Sequence, residues 1–203
     1  MAALSFSLPY APVLNGALRR VPPWAVYLAG TLPLAWIVWL LFHNGLGVDP
    51  VKEIEHRLGK IGLQFIVAGL AVTPLRRWGG LNLLRLRRAL GVLAFCYVGL
   101  HLAAWLVQDM ALLWGQALGD IVKRPYLTLG MAGFVLLLPL AATSNDWALR
   151  RLGGARWRQL HRLVYPAAVL GGVHYLWLVK AWPPEPFVYL GAILVLLALR
   201  LRR

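Results

Sequence analysis

Apolar stretches long enough to cross a bilayer, separated by loops whose charge alternates from one to the next, constrain this chain more than any other feature. In hydrocarbon a backbone must satisfy its own N–H and C=O groups, so such stretches are read as helices. Candidate spans lie at about 24–42, 60–75, 89–107, 126–142, 160–179 and 187–199. The shorter ones must extend into flanking polar residues to cross a core of about 30 Å. Composition agrees: 60% of the 203 residues are hydrophobic and 14% charged, against an apolar share of roughly 45–50% in soluble chains. The expected fold class is an all-α membrane protein, a single bundle of six transmembrane helices over 1–203, with no soluble domain and no internal repeat.

The loop charges orient this bundle. One set of alternate loops carries fifteen arginines, among them Arg19, Arg20, Arg76, Arg77, Arg85, Arg87, Arg88 and five between Arg150 and Arg162. The other set carries six basic residues (Lys52, Arg57, Lys60, Lys123, Arg124 and Lys180), balanced by six of the seven acids. The positive-inside rule then puts both termini in the cytoplasm. A net charge of +14 would suit nucleic acid, but these residues separate apolar segments instead of forming a basic face with interleaved aromatics, so the expected partner surface is the bilayer and not nucleic acid. Arg19 and Arg20 precede the first apolar stretch as in an export signal. That stretch lacks a small-residue cleavage pattern, which predicts an uncleaved spanning helix. Pro125 predicts the first turn of the fourth span, Trp182, Pro183, Pro184 and Pro186 a tight turn before the last, and 108–120 a short surface helix.

Against this apolar background the histidines are the chemical signal. An ionisable side chain at membrane depth is costly and reads as functional by default, and imidazole suits haem iron. The single cysteine, Cys96, allows no internal disulfide, no CxxC pair and no CxxCH haem attachment, so any haem is held by coordination alone. His101 lies thirteen residues after Arg88 and eight before Asp109, and His174 six before Lys180, so both fall in the outer half of their spans. Two imidazoles at one depth on neighbouring helices can approach an iron from opposite faces of a porphyrin, leaving no open position for substrate. His161 lies about 20 Å further in and about 140° round a straight helix from His174. A bend at Pro166 or at Gly171 and Gly172 would reduce that mismatch. Arg87 and Arg88, near the depth of His161, are candidates for pairing with haem propionates or another anion. His56 sits at the outer mouth and His43 at an interface. The competing reading of each histidine is a neutral, hydrogen-bonded packing residue.

No Gly-rich strand–loop–helix unit, HExxH or Ser/His/Asp arrangement is present, so reducing equivalents must come from elsewhere and the remaining chemistry is electron relay. Pro50–His56, Ala71–Arg77, Leu86–Gly91, Lys123–Tyr126, Leu137–Ser144, Leu160–Tyr165 and His174–Tyr175, in this order, resemble the MsrQ (YedZ) family, haem-binding membrane subunits of protein-methionine-sulfoxide reductase systems within the ferric-reductase-like transmembrane superfamily. The resemblance implies haem b, one or two, in a bacterial inner membrane, with FMN as a further cofactor candidate. It implies electrons taken from the quinone pool or a cytoplasmic flavin reductase and passed to a periplasmic molybdopterin enzyme, MsrP, on which methionine sulfoxide is reduced. The family's functional histidines fall on His101, His161 and His174. The wider superfamily often has two histidines on each of two helices; here the third span has one, so the resemblance leaves His161 either as ligand of an inner haem iron with a non-histidine or shared partner, or at the flavin or quinone site. Two rivals stay open: a self-contained ferric or quinol reductase with a small external acceptor, and a proton or ion pathway built on neutral histidines.

Overall fold

The computed structural model describes residues 9–179 and 183–201. Lys180, Trp182, Arg202 and Arg203, which entered the loop charges or the last turn above, lie outside them. Among the described residues nine α-helices follow one another and no strand is present: α1 (Ala11–Arg20), α2 (Pro23–Phe42), α3 (Pro50–Gly79), α4 (Arg87–Ala104), α5 (Trp114–Lys123), α6 (Pro125–Ala142), α7 (Asp146–Leu160), α8 (Val164–Leu178) and α9 (Pro184–Leu201). Four helical stretches, Pro23–Phe42, Pro50–Gly79, Leu84–Asp109 and Pro125–Ala142, are long and apolar enough to cross a membrane. The fifth and sixth expected spans overlap α8 and α9.

Local chemistry explains where the helices begin and end, and where they depart from expectation. The span expected at 60–75 begins ten residues earlier, at Pro50, because Asp49 caps it by accepting from the Lys52 N–H at 3.1 Å and proline suits the first turn. It ends at Gly80, whose φ of 71° takes the left-handed cap that glycine adopts without a Cβ clash. Pro125 opens α6 as predicted. Of the residues expected in the turn before the last span, Trp182 lies outside the described residues and Pro184 and Pro186 stand in the first turn of α9, where no intrahelical N–H is needed.

The stretch before the fifth span is α7 instead of a plain loop. Asn145 caps it, accepting from the Ala148 N–H at 2.8 Å, and Gly153 breaks it at φ 72°. A 3₁₀ turn, His161–Leu163, joins it to α8. The irregularity therefore precedes Pro166, and Gly171 and Gly172 run through regular helix. The surface helix expected at 108–120 is α5, shifted toward the C-terminus by a π-helical turn at Trp105–Asp109 and by Ala111 and Leu112 at positive φ. Ala117 of α5 is buried, whereas Trp114, Leu118 and Val122 are exposed.

Two antiparallel hairpins, α3 with α4 and α6 with α8, make the bundle, and α9 packs on α8 and α3. The main core joins Leu63, Ile66 and Leu70 of α3 to Ala94, Leu137, Leu140, Ala167, Ala168 and Ile193. The outward face of α2 exposes Leu28, Leu32 and Trp36, as a lipid-facing helix requires.

A proline inside a helix releases a carbonyl that hydrocarbon cannot solvate, and near two of them a polar side chain from a neighbouring helix bonds the backbone. Pro74 has no N–H for the Leu70 carbonyl, and Arg200 of α9 donates to that oxygen at 2.6 Å. Beside Pro33 the Tyr97 hydroxyl enters the α2 ladder, donating to the Gly30 carbonyl at 2.6 Å and accepting from the Leu34 N–H at 3.1 Å. Tyr97 is 2% exposed, so no water replaces it. Tyr97→Phe is predicted to destabilise the protein by about 1 kcal/mol, read as a lowered unfolding midpoint in detergent, because the hydroxyl's bonds to both backbone groups, which tie α4 to α2, are lost.

Candidate functional site

One cavity of about 890 Å³ opens between the two hairpins at the end of the bundle that carries Glu55, Asp109 and Tyr126. Its volume lies in the range of cofactor sites, about 300–1,000 Å³. His101 enters it from α4 and His174 from α8, with ring centroids 6.2 Å apart and planes 71° apart. His56 also lines it.

Both rings are held in the same way. His101 Nδ1 lies 2.8 Å from the Glu55 carbonyl and His174 Nδ1 2.7 Å from the Tyr126 carbonyl. A carbonyl only accepts, so each Nδ1 carries the proton and each Nε2 keeps its lone pair. A ring N–H on a backbone carbonyl is the arrangement that fixes tautomer and orientation in metal-binding histidines. The separation suits one ion between them: two metal–nitrogen bonds of about 2.0 Å, with about 1.1 Å from each nitrogen to its ring centre, place the centroids roughly 6.2 Å apart. Among the described residues no group of three or more His, Cys, Asp or Glu gathers in metal-binding reach. The pair therefore fits a metal whose remaining donors come with it, as the four nitrogens of a flat macrocycle do. The cavity's apolar wall and its small residues, Gly130, Gly133 and Gly171 among them, suit such a ligand.

Glycines 59 and 130, which reading of the sequence passed over, explain how the rings come so close to helix backbone. A Cβ on Gly59 would stand 3.0 Å from His101 Nδ1, and one on Gly130 2.9 Å from His174 Nδ1. The signal was present as Gly59-x-x-Gly62 on α3 and Gly130-x-x-Gly133 on α6, each paired with a histidine two places after a glycine, Gly99 and Gly172.

The other candidates stand apart from the pair. His161 is outside the cavity lining; its Nε2 is 3.1 Å from Thr143 Oγ1 and its ring stacks on Trp157 at 3.7 Å. Arg88 pairs with Asp146 at 2.6 Å. Arg87 lies against Tyr165 and Arg200. His43 bonds the Trp39 carbonyl at 2.8 Å and stacks on that indole.

Fold and site together define a helical membrane protein with a paired-histidine cavity, and similarity to known proteins narrows the class. The family model of the ferric reductase like transmembrane component matches residues 58–172. The protein-methionine-sulfoxide reductase heme-binding subunit MsrQ of Agrobacterium fabrum is 45% identical over 204 residues, covering 99% of this chain and 92% of that protein. The subunits of the same name from Brucella anthropi and Brucella ovis are each 47% identical over 180 residues, covering 89% of this chain and 81% of theirs. This chain belongs to the MsrQ family of ferric-reductase-like transmembrane proteins.

The Arg88 guanidinium holds the Asp146 carboxyl below the usual carboxylate range. A lowered folded-state pKa adds stability at neutral pH that disappears as pH falls through that pKa. The stability difference between wild type and Arg88→Ala is therefore predicted to be small and salt-sensitive at pH 7 and to vanish in acid, read by thermal unfolding across pH at two salt concentrations.

Proposed function

We propose that this chain is the haem b subunit that carries electrons across a bacterial inner membrane to a periplasmic molybdopterin methionine sulfoxide reductase, MsrP, for repair of oxidised proteins. The observation that carries the reading is the His101–His174 pair, its rings 6.2 Å apart across the cavity with each Nδ1 on a carbonyl. The names of the relatives, heme-binding subunits of protein-methionine-sulfoxide reductase, support it. Haem bound there supplies a one-electron couple. His101 and His174 would hold the haem iron through their Nε2 atoms, and with both imidazoles engaged no place would be left for an exogenous ligand, which favours electron transfer over substrate activation. The apolar wall around them, with Leu63, Ile66 and Leu137, would keep water from the bound group.

In this reading the six spans place both termini and the arginine-rich loops in the cytoplasm, and the end with Glu55, Asp109 and α5 faces the periplasm. The donor is the quinone pool or a cytoplasmic flavin reductase, with FMN as a cofactor near the donor side. His161, Arg87 and Arg88 stand toward that side. Thr143 already holds His161 Nε2, which favours a role for His161 in electron intake over ligation of a second haem.

A reduced-minus-oxidised spectrum with pyridine haemochrome quantitation tests the assignment. His101→Ala and His174→Ala are each expected to lose most of the haem, and His161→Ala to retain it; full haem content in both of the first two refutes the ligand pair. Oxidation of the reduced protein by purified partner, outpacing that by a ferric chelate, is the expected result against the self-contained reductase.

A further inference from the structure

The two histidine seats match well beyond the rings. On the first hairpin, a Cβ on Gly59 would meet His101 Nδ1, Cε1 and Cγ at 3.0, 3.2 and 3.4 Å. On the second, a Cβ on Gly130 would meet the same three atoms of His174 at 2.9, 3.0 and 3.3 Å. In each hairpin the carbonyl that accepts from the imidazole belongs to the residue four before that glycine, Glu55 or Tyr126. One turn deeper the agreement continues. Gly62 faces the backbone N of Val98 and the carbonyl of Ala94, whereas Gly133 faces the backbone N of Gly171 and the carbonyl of Ala167. These partners stand three and seven residues before His101 and before His174.

We infer that the bundle is built from two copies of one ligand-holding hairpin, α3 with α4 and α6 with α8, in which Gly59 and Gly130 are matched positioning residues for the two imidazoles. The inference rests on the ligand assignment above and adds to it what sets the rings in place. Each glycine lets its imidazole reach the carbonyl one turn away on the facing helix. That hydrogen bond raises the basicity of Nε2, and a more basic ligand favours the higher oxidation state of the metal it binds. A methyl group at either glycine pushes the ring off its carbonyl, which weakens the donor, reorients the plane and raises the midpoint potential. Gly62 differs from Gly59 in this respect: it packs on the α4 backbone and Val98, and touches no histidine.

The test compares Gly59→Ala and Gly130→Ala with Gly62→Ala and with Gly91→Ala, the last placed where nothing lies within 4 Å. In the purified holoprotein, both seat variants are expected to show a more positive midpoint potential, an altered low-spin ferric electron paramagnetic resonance spectrum and roughly 10- to 100-fold weaker haem binding. Gly62→Ala is expected to lower thermal stability with the wild-type spectrum and potential, and Gly91→Ala to match wild type throughout. Seat variants indistinguishable from Gly91→Ala overturn the inference while leaving the ligand pair standing. Full haem content in His101→Ala and His174→Ala removes the ligand pair itself. Electron–nuclear double resonance on the wild-type ferric protein reads the two exchangeable Nδ1 protons without any substitution. Two hydrogen-bonded N–H groups with similar couplings are expected, and one free N–H overturns the equivalence.

Discussion

A ring N–H resting on a helix carbonyl, made twice, is the contact on which the rest of this structure turns. Within an apolar bundle a neutral imidazole needs a partner for its N–H, and backbone at membrane depth has few carbonyls to spare. Four residues on from the Glu55 and Tyr126 carbonyls stands a glycine, where a Cβ would lie only 3.0 or 2.9 Å from the ring nitrogen. The result is two lone pairs presented at a fixed separation across one cavity. Helix spacing, the glycines and the antiparallel register of both hairpins follow from keeping that geometry.

The same demand for satisfied polar groups governs the helices that do not touch the site. Pro33 and Pro74 disturb their helices, and the Tyr97 hydroxyl and the Arg200 guanidinium answer the carbonyls nearby. These interactions tie α2 to α4 and α9 to α3, so the backbone beside each proline becomes a cross-link between helices. Arg200, one of the fifteen arginines counted in the more basic set of loops, thereby has a structural role besides topology. Arg88 and Asp146 similarly join the start of α4 to the start of α7.

Much of the fold was legible because hydropathy in a bilayer is a coarse, strong signal. Four spans and the all-helical class could be read from apolar length alone, and Pro125 marked a helix start through its missing N–H. Boundaries that depend on capping were not legible in the same way: the early start of α3 at Asp49 and Pro50, the helix α7 with its break at Gly153, and the 3₁₀ turn at His161 all depend on contacts between neighbouring residues and facing helices. Of the candidate site, His101 and His174 were marked by an ionisable ring in an apolar run. The glycines opposite them were lost among twenty in the chain, since glycine is common in membrane helices and its meaning depends on what faces it.

The amino-acid sequence by itself determined that this chain builds membrane helices, that its charges are divided unequally between alternate loops, and that two histidines share a depth. These are one-dimensional properties, set by hydrophobic length and residue count. Only the tertiary structure decided that His101 and His174 face one cavity while His161 turns to Thr143 and Trp157. It also decided that two hairpins with no evident sequence repeat hold their rings alike. Those outcomes depend on the register between helices distant in the chain, where close packing of glycine against a facing side chain selects one alignment.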